Sequence, residues 1–110
     1  MRRWLALMAL VLATGASAGE QSFTIAIEQG RVPEAMRTLR VHQGDSVILR
    51  WRSDRPLTLH LHGYDFVWQL SPGRVVESTF TAFAAGRFPI EAHGTRSRDE
   101  TLVYLEVLPN

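Results

Sequence analysis

The chain has 110 residues, no cysteine, and 12 basic residues, all of them arginine, against 11 acids. A formal net charge of +1 argues against nucleic-acid binding, which usually shows a strongly basic domain. Without cysteine there is no disulfide framework and no thiolate for metal or redox chemistry.

Residues 1–18 read apart from the fold. Arg2 and Arg3 form a charged start, Trp4 to Leu12 is an uncharged apolar run, and Ala16-Ser17-Ala18 fits the small-residue pattern of a signal-peptidase site. That layout is a secretory signal peptide, and its apolar run is short of the roughly 20 residues that span a bilayer. Cleavage after Ala18 leaves residues 19–110 as one domain, and losing two arginines takes the formal charge from +1 to −1. The expected address is the periplasm, and no later segment is long and apolar enough to span a membrane.

The rest of the chain is short β-type runs divided by turn residues. Ser22 to Glu28 alternates, with Phe23, Ile25 and Ile27 on one face. A loop with Gly30 and Pro33 follows, with room for one helical turn between Pro33 and Leu39. Thr38 to Val41 is a short strand, stopped at Gln43-Gly44-Asp45. Ser46 to Arg52 alternates again, with Val47, Leu49 and Trp51 on one side, and Ser53-Asp54-Arg55-Pro56 turns the chain. Leu57 to His62 and Asp65 to Leu70 are two further strands around Gly63. Val75 to Phe83, Arg87 to Ala92 and Thr101 to Leu108 complete the set. About eight strands at spacings of roughly 8–12 residues predict an all-β sandwich or barrel. The alternation predicts two antiparallel sheets packed face to face. Phe80, Phe83, Phe88, Trp51, Trp68 and Tyr104 are the expected aromatic core.

Three segments carry a resemblance. They are Leu39 to Val47 around the Gly44-Asp45 turn, the His60-Leu61-His62-Gly63-Tyr64-Asp65 segment, and Gly86 to Gly94 before the last strand at Leu102 to Val107. With Ser71-Pro72-Gly73 and the Phe80 strand, their order resembles the cupredoxin family over residues 22–108. The resemblance implies a Greek-key β-sandwich with a metal site at one end. The cysteine ligand of blue copper members falls on Ala92 or Ile90, depending on register, and no methionine follows Gly94. A blue copper site needs a thiolate, so this chain makes none.

What remains is His60, His62 and His93. Residues i and i+2 on a strand point the same way, about 7 Å apart, so two imidazoles there can converge on one metal. In the cupredoxin arrangement the loop bearing His93 lies near them. Three neutral imidazoles suit Cu(II) or Zn(II), and an all-nitrogen set favours Cu(II) over Cu(I). Asp65 and Glu91 are candidates for orienting the rings. His-x-His-Gly is also similar to one histidine pair of the multicopper oxidases, which need further pairs from another domain. A plainer reading stands beside this one: if Leu57, Leu59 and Leu61 face the core, His60 and His62 simply face solvent, and so can His93. Met36 is a possible soft ligand or a loop side chain. Arg52, Arg55, Arg96 and Arg98 are solvated residues or a patch for an anionic partner. His42, beside its Gly-Asp turn, is expected to be exposed.

No cysteine nucleophile, G-x-S-x-G elbow, H-E-x-x-H or phosphate-binding glycine loop occurs, so the chain is not expected to be an enzyme. The leading expectation is an exported, non-blue copper protein: a carrier, buffer or accessory factor. The alternative is a metal-free β-sandwich that docks on another protein of the cell envelope.

Overall fold

The computed structural model describes residues 18–94 and 99–110. The signal-peptide reading and two of the four arginines of the patch, Arg96 and Arg98, lie outside the described residues, Ala18 apart. Eight strands follow in order: β1 (Glu20–Ile27), β2 (Thr38–His42), β3 (Ser46–Ser53), β4 (Leu57–Leu61), β5 (Phe66–Leu70), β6 (Val76–Thr81), β7 (Gly86–His93) and β8 (Glu100–Leu108). One 3-10 turn, Glu34–Met36, lies between β1 and β2. Among the described residues no helix is long and apolar enough to cross a membrane.

The strands form a three-stranded sheet, β1-β3-β6, and a five-stranded sheet, β2-β8-β7-β4-β5. Each sheet turns one apolar face inward, as the period of two requires. The smaller sheet contributes Ile25, Ile27, Val47, Leu49, Trp51 and Phe80; the larger contributes Leu39, Val41, Leu59, Leu61, Ile90, Val103 and Leu105, all buried. Trp51 on β3 meets Trp68 on β5 with ring centroids 5.7 Å apart, joining the two sheets across the core. Met36 packs against this core as an apolar side chain.

The expectation of purely antiparallel sheets is corrected. β1 pairs parallel with β3, and β2 pairs parallel with β8. The loop after β1 carries the chain from one sheet to the other, so β1 and β2 are not hairpin partners and each finds a parallel neighbour at an edge. The aromatic core also needs correction. Phe83 is 62% exposed, because β6 ends at Thr81 and the Phe83 N–H donates back to the Thr81 carbonyl. Tyr104 lies on the outer face of its sheet, with the Arg87 guanidinium 3.8 Å above its ring. Tyr64 is buried instead; its hydroxyl donates to the Ala84 carbonyl and accepts from the Ala84 N–H. Burial pushes that phenol above its ordinary value, against the smaller opposing effect of the Ala84 hydrogen bond.

Asp45 ties the start of β1 to the turn before β3. Its carboxylate accepts from the Gly19 N–H at 3.0 Å and the His42 N–H at 2.8 Å. The hydrogen bonds from His42 and Gly19 hold its carboxyl below the ordinary 3.8, burial opposing them. A depressed carboxyl stabilises the fold above its unfolded value, and that contribution is lost as pH falls through the lower native value. Asp45→Asn is therefore expected to cost about 1 kcal/mol at neutral pH and to melt with a flatter acid dependence than wild type. Melting curves taken from pH 7 into acid check this; parallel profiles for the two proteins would contradict it.

Candidate metal centre

Leu59 and Leu61 commit one face of β4 to the core, so strand alternation puts Thr58, His60 and His62 on the outer face of the larger sheet. On β7 the buried Ile90 and Ala92 likewise place Glu91 and His93 outward. The antiparallel register sets His60 opposite Glu91 and Thr58 opposite His93. Just past the end of β4, the His62 N–H donates to the Pro89 carbonyl at 3.0 Å. Two histidines from one side of this pairing and one from the other therefore share one patch with Glu91: His60 and His62 before the turn, His93 across the ladder. The β4–β5 connection bends sharply here, with positive φ at Gly63 (90°) and Asp65 (59°), and the Asp65 N–H donates to the Leu61 carbonyl.

The rings of His60 and His62 lie 4.0 Å apart between centroids, and those of His60 and His93 lie 6.3 Å apart. All three side chains are partly exposed, at 28%, 39% and 34%. Each has a carboxylate beside it. His62 Nε2 is 3.0 Å from Glu91 Oε1, His93 Nδ1 is 2.7 Å from Asp99 Oδ1, and His60 Nε2 is 3.8 Å from Asp65 Oδ1. The first of these is an ion-pair contact, and among the described residues no aligned hydrogen bond reaches His62 Nε2. Glu91, His93 and Asp99 bring one ligand atom each within 4.8 Å of one another.

Asp65 and Glu91, read from the sequence as orienting groups, thus stand against His60 and His62. Asp99 escaped that reading. A signal for it exists: β7 and β8 pair Ala92 with Glu100 and Glu91 with Thr101, and continuing that ladder by one step sets His93 against Asp99. The register shifts between Ile90 and Glu91, so Leu102 is an extra residue on β8, a bulge of the kind that bends a strand and re-aims its side chains. His42 is exposed on β2. The strand order puts β8 and β7 between it and β4, about 14 Å at the usual strand spacing. Arg40 is paired with Glu106 at 2.5 Å on that side of the sheet, which leaves the β4–β7 side as the region of imidazoles and acids.

The donors test the fit of a metal directly. Imidazole nitrogen and carboxylate oxygen suit Cu(II) or Zn(II). Ile90 and Ala92, the two alternative positions that the resemblance gives for a blue copper cysteine, are both buried in the apolar core.

Comparison with solved structures agrees with this architecture. The periplasmic domain of subunit II of cytochrome oxidase from Bradyrhizobium japonicum is similar with a TM-score of 0.64 and 13% identity, over 81% of this chain and 84% of that one. The fold is cupredoxin-like. A blue copper oxidase from Nitrosomonas europaea is similar with a TM-score of 0.64 and 16% identity, over 83% of this chain and 39% of that one. A copper-containing nitrite reductase from Thermus scotoductus matches with a TM-score of 0.61 and 20% identity, over 83% and 28%. The cupredoxin-like chain thus spans well under half the length of either enzyme. No protein-family model matches the sequence, and no curated protein matches it.

Proposed function

We propose that this cupredoxin-like chain is an exported, non-blue copper-binding protein that holds copper at the cluster of His60, His62 and His93. It serves as a carrier, buffer or accessory factor in the periplasm. The observation that carries the reading is the convergence of imidazoles and a carboxylate on one face: the His60 and His62 rings lie 4.0 Å apart and Glu91 Oε1 lies 3.0 Å from His62 Nε2. The fold supports it, since the similar structures include a blue copper oxidase and a copper-containing nitrite reductase. His60, His62 and His93 would hold Cu(II) there through their ring nitrogens. Glu91 and Asp99 orient the rings beside them and offset the charge of the ion. The cluster lies on an open sheet face, which suits loading and release.

The test is copper-dependent stabilisation that requires these histidines and not His42. A spectroscopic expectation accompanies it. Copper loading should give no intense charge-transfer band near ~600 nm, because that band needs a Cu–thiolate bond and the chain has no cysteine. An absorption spectrum of the loaded protein settles the point, and an intense blue colour would contradict the assignment.

A metal-free interaction module is the second reading. It is favoured by the exposed Phe83, packed against Tyr64 at 4.7 Å, and by the His93–Asp99 contact, which satisfies one ring without an ion. It expects copper to leave the melting temperature unchanged.

A further inference from the structure

We propose that the cluster takes two divalent ions, with Glu91 shared between them. The inference rests on the metal-binding reading above and divides that site into halves. The three imidazoles do not close around one point. Among the described residues, the set whose ligand atoms lie within 4.8 Å of one another holds a single imidazole, His93, with Glu91 and Asp99. The His60–His93 ring separation of 6.3 Å contrasts with 4.0 Å between His60 and His62. One ion touching all three rings would need them to swing together; with two ions, His93, Asp99 and Glu91 already converge, and only the His60 ring has to turn to join His62 beside Glu91.

Glu91 belongs to both groupings. It is directly opposite His60 in the ladder, its Oε1 lies 3.0 Å from His62 Nε2, and it shares a strand face with His93 at i+2. A carboxylate has two oxygens and about four lone-pair positions, so each oxygen can face a different ion. The first half, His60 and His62 with Glu91, is rich in nitrogen and suits Cu(II). The second, His93 and Asp99 with Glu91, is rich in oxygen and is the weaker copper site. Charge permits the second ion. Three carboxylates, Asp65, Glu91 and Asp99, stand beside the rings, and their combined charge attracts more than one cation.

The division of labour differs from that of a single three-histidine centre, because Asp99 becomes a ligand and not an orienting group. Cu(II) alone is the probe, in a His42→Ala background to remove the remote imidazole. Calorimetric titration should show two equivalents of unequal affinity, and electron paramagnetic resonance should show the first signal altered as the second ion enters. Asp99→Asn should take one equivalent and keep the tighter one. The His60→Ala/His62→Ala double variant should also take one, and keep the weaker. All these side chains lie on the outer face, so circular dichroism and apo melting should confirm an unchanged fold. Saturation of the parent at one equivalent, or two equivalents retained by Asp99→Asn, overturns the shared-carboxylate site while leaving the copper function standing. No binding at all overturns both.

Discussion

Saturating Cu(II) is expected to raise the melting temperature by roughly 10–20 °C. A ligand that binds only the folded state stabilises it by roughly 2.7 kcal/mol when its free concentration is 100 times the dissociation constant. In a domain of this size, 1 kcal/mol moves the midpoint by about 4–8 °C. His60→Ala or His62→Ala should remove most of the shift, because the pair is the nitrogen-rich part of the cluster and Cu(II) prefers imidazole to carboxylate. His93→Ala should remove a smaller part. His42→Ala should leave the shift intact, since two strands separate it from β4. Without copper the four variants should melt close to wild type, for none of these rings belongs to the core. Thermal melts of the five proteins, with and without copper, check the set. A shift that survives loss of His62, or depends equally on His42, would contradict it.

A larger loss is expected from Gly63→Ala, about 3 kcal/mol. Gly63 has φ 90°, and a Cβ there would stand 2.5 Å from Phe88 Cδ1 and 2.8 Å from Cε1. Tyr64 packs edge-on against the half-buried Phe88 ring with centroids 5.0 Å apart, which resists its moving aside. Backbone strain of roughly 1 kcal/mol adds to an overpacking cost of about 1–3 kcal/mol. The midpoint should fall by roughly 15 °C. Gly73→Ala is the control: its φ is 81°, yet nothing lies within 4 Å of the added Cβ, so only the strain remains. Because Gly63 follows His62, its replacement should also weaken copper binding, whereas Gly73→Ala should not. Equal losses from the two alanines would show that Phe88 yields.

Much of this arrangement was legible in residue order. Leu57, Leu59 and Leu61 alternate with Thr58, His60 and His62, and once the leucines are core the histidines must face outward. The same logic on Ile90 and Ala92 puts Glu91 and His93 on that surface. Strand pairing across chain-distant segments was not legible, because alternation is identical for parallel and antiparallel neighbours. Phe83 looked like core for its composition alone; the chain leaves the sheet two residues earlier, and an aromatic past a strand end has no obligatory burial. Tyr64 sat in a turn by sequence, and its burial depends on Ala84, twenty positions away. Asp99 needed the β7–β8 register, which a loop of unknown geometry concealed. The histidines were singled out by type and spacing, while the carboxylate beside each ring required the distances.

The most direct measurement is copper retention. The purified chain and a His60→Ala/His62→Ala/His93→Ala variant are loaded with Cu(II), passed through a desalting column, and assayed for copper and protein. The wild type is expected to keep copper in stoichiometric amount and the triple variant to keep none, with the same β-type circular dichroism in both. Equal retention by the two proteins, or none by the wild type, would contradict a copper centre built on these histidines.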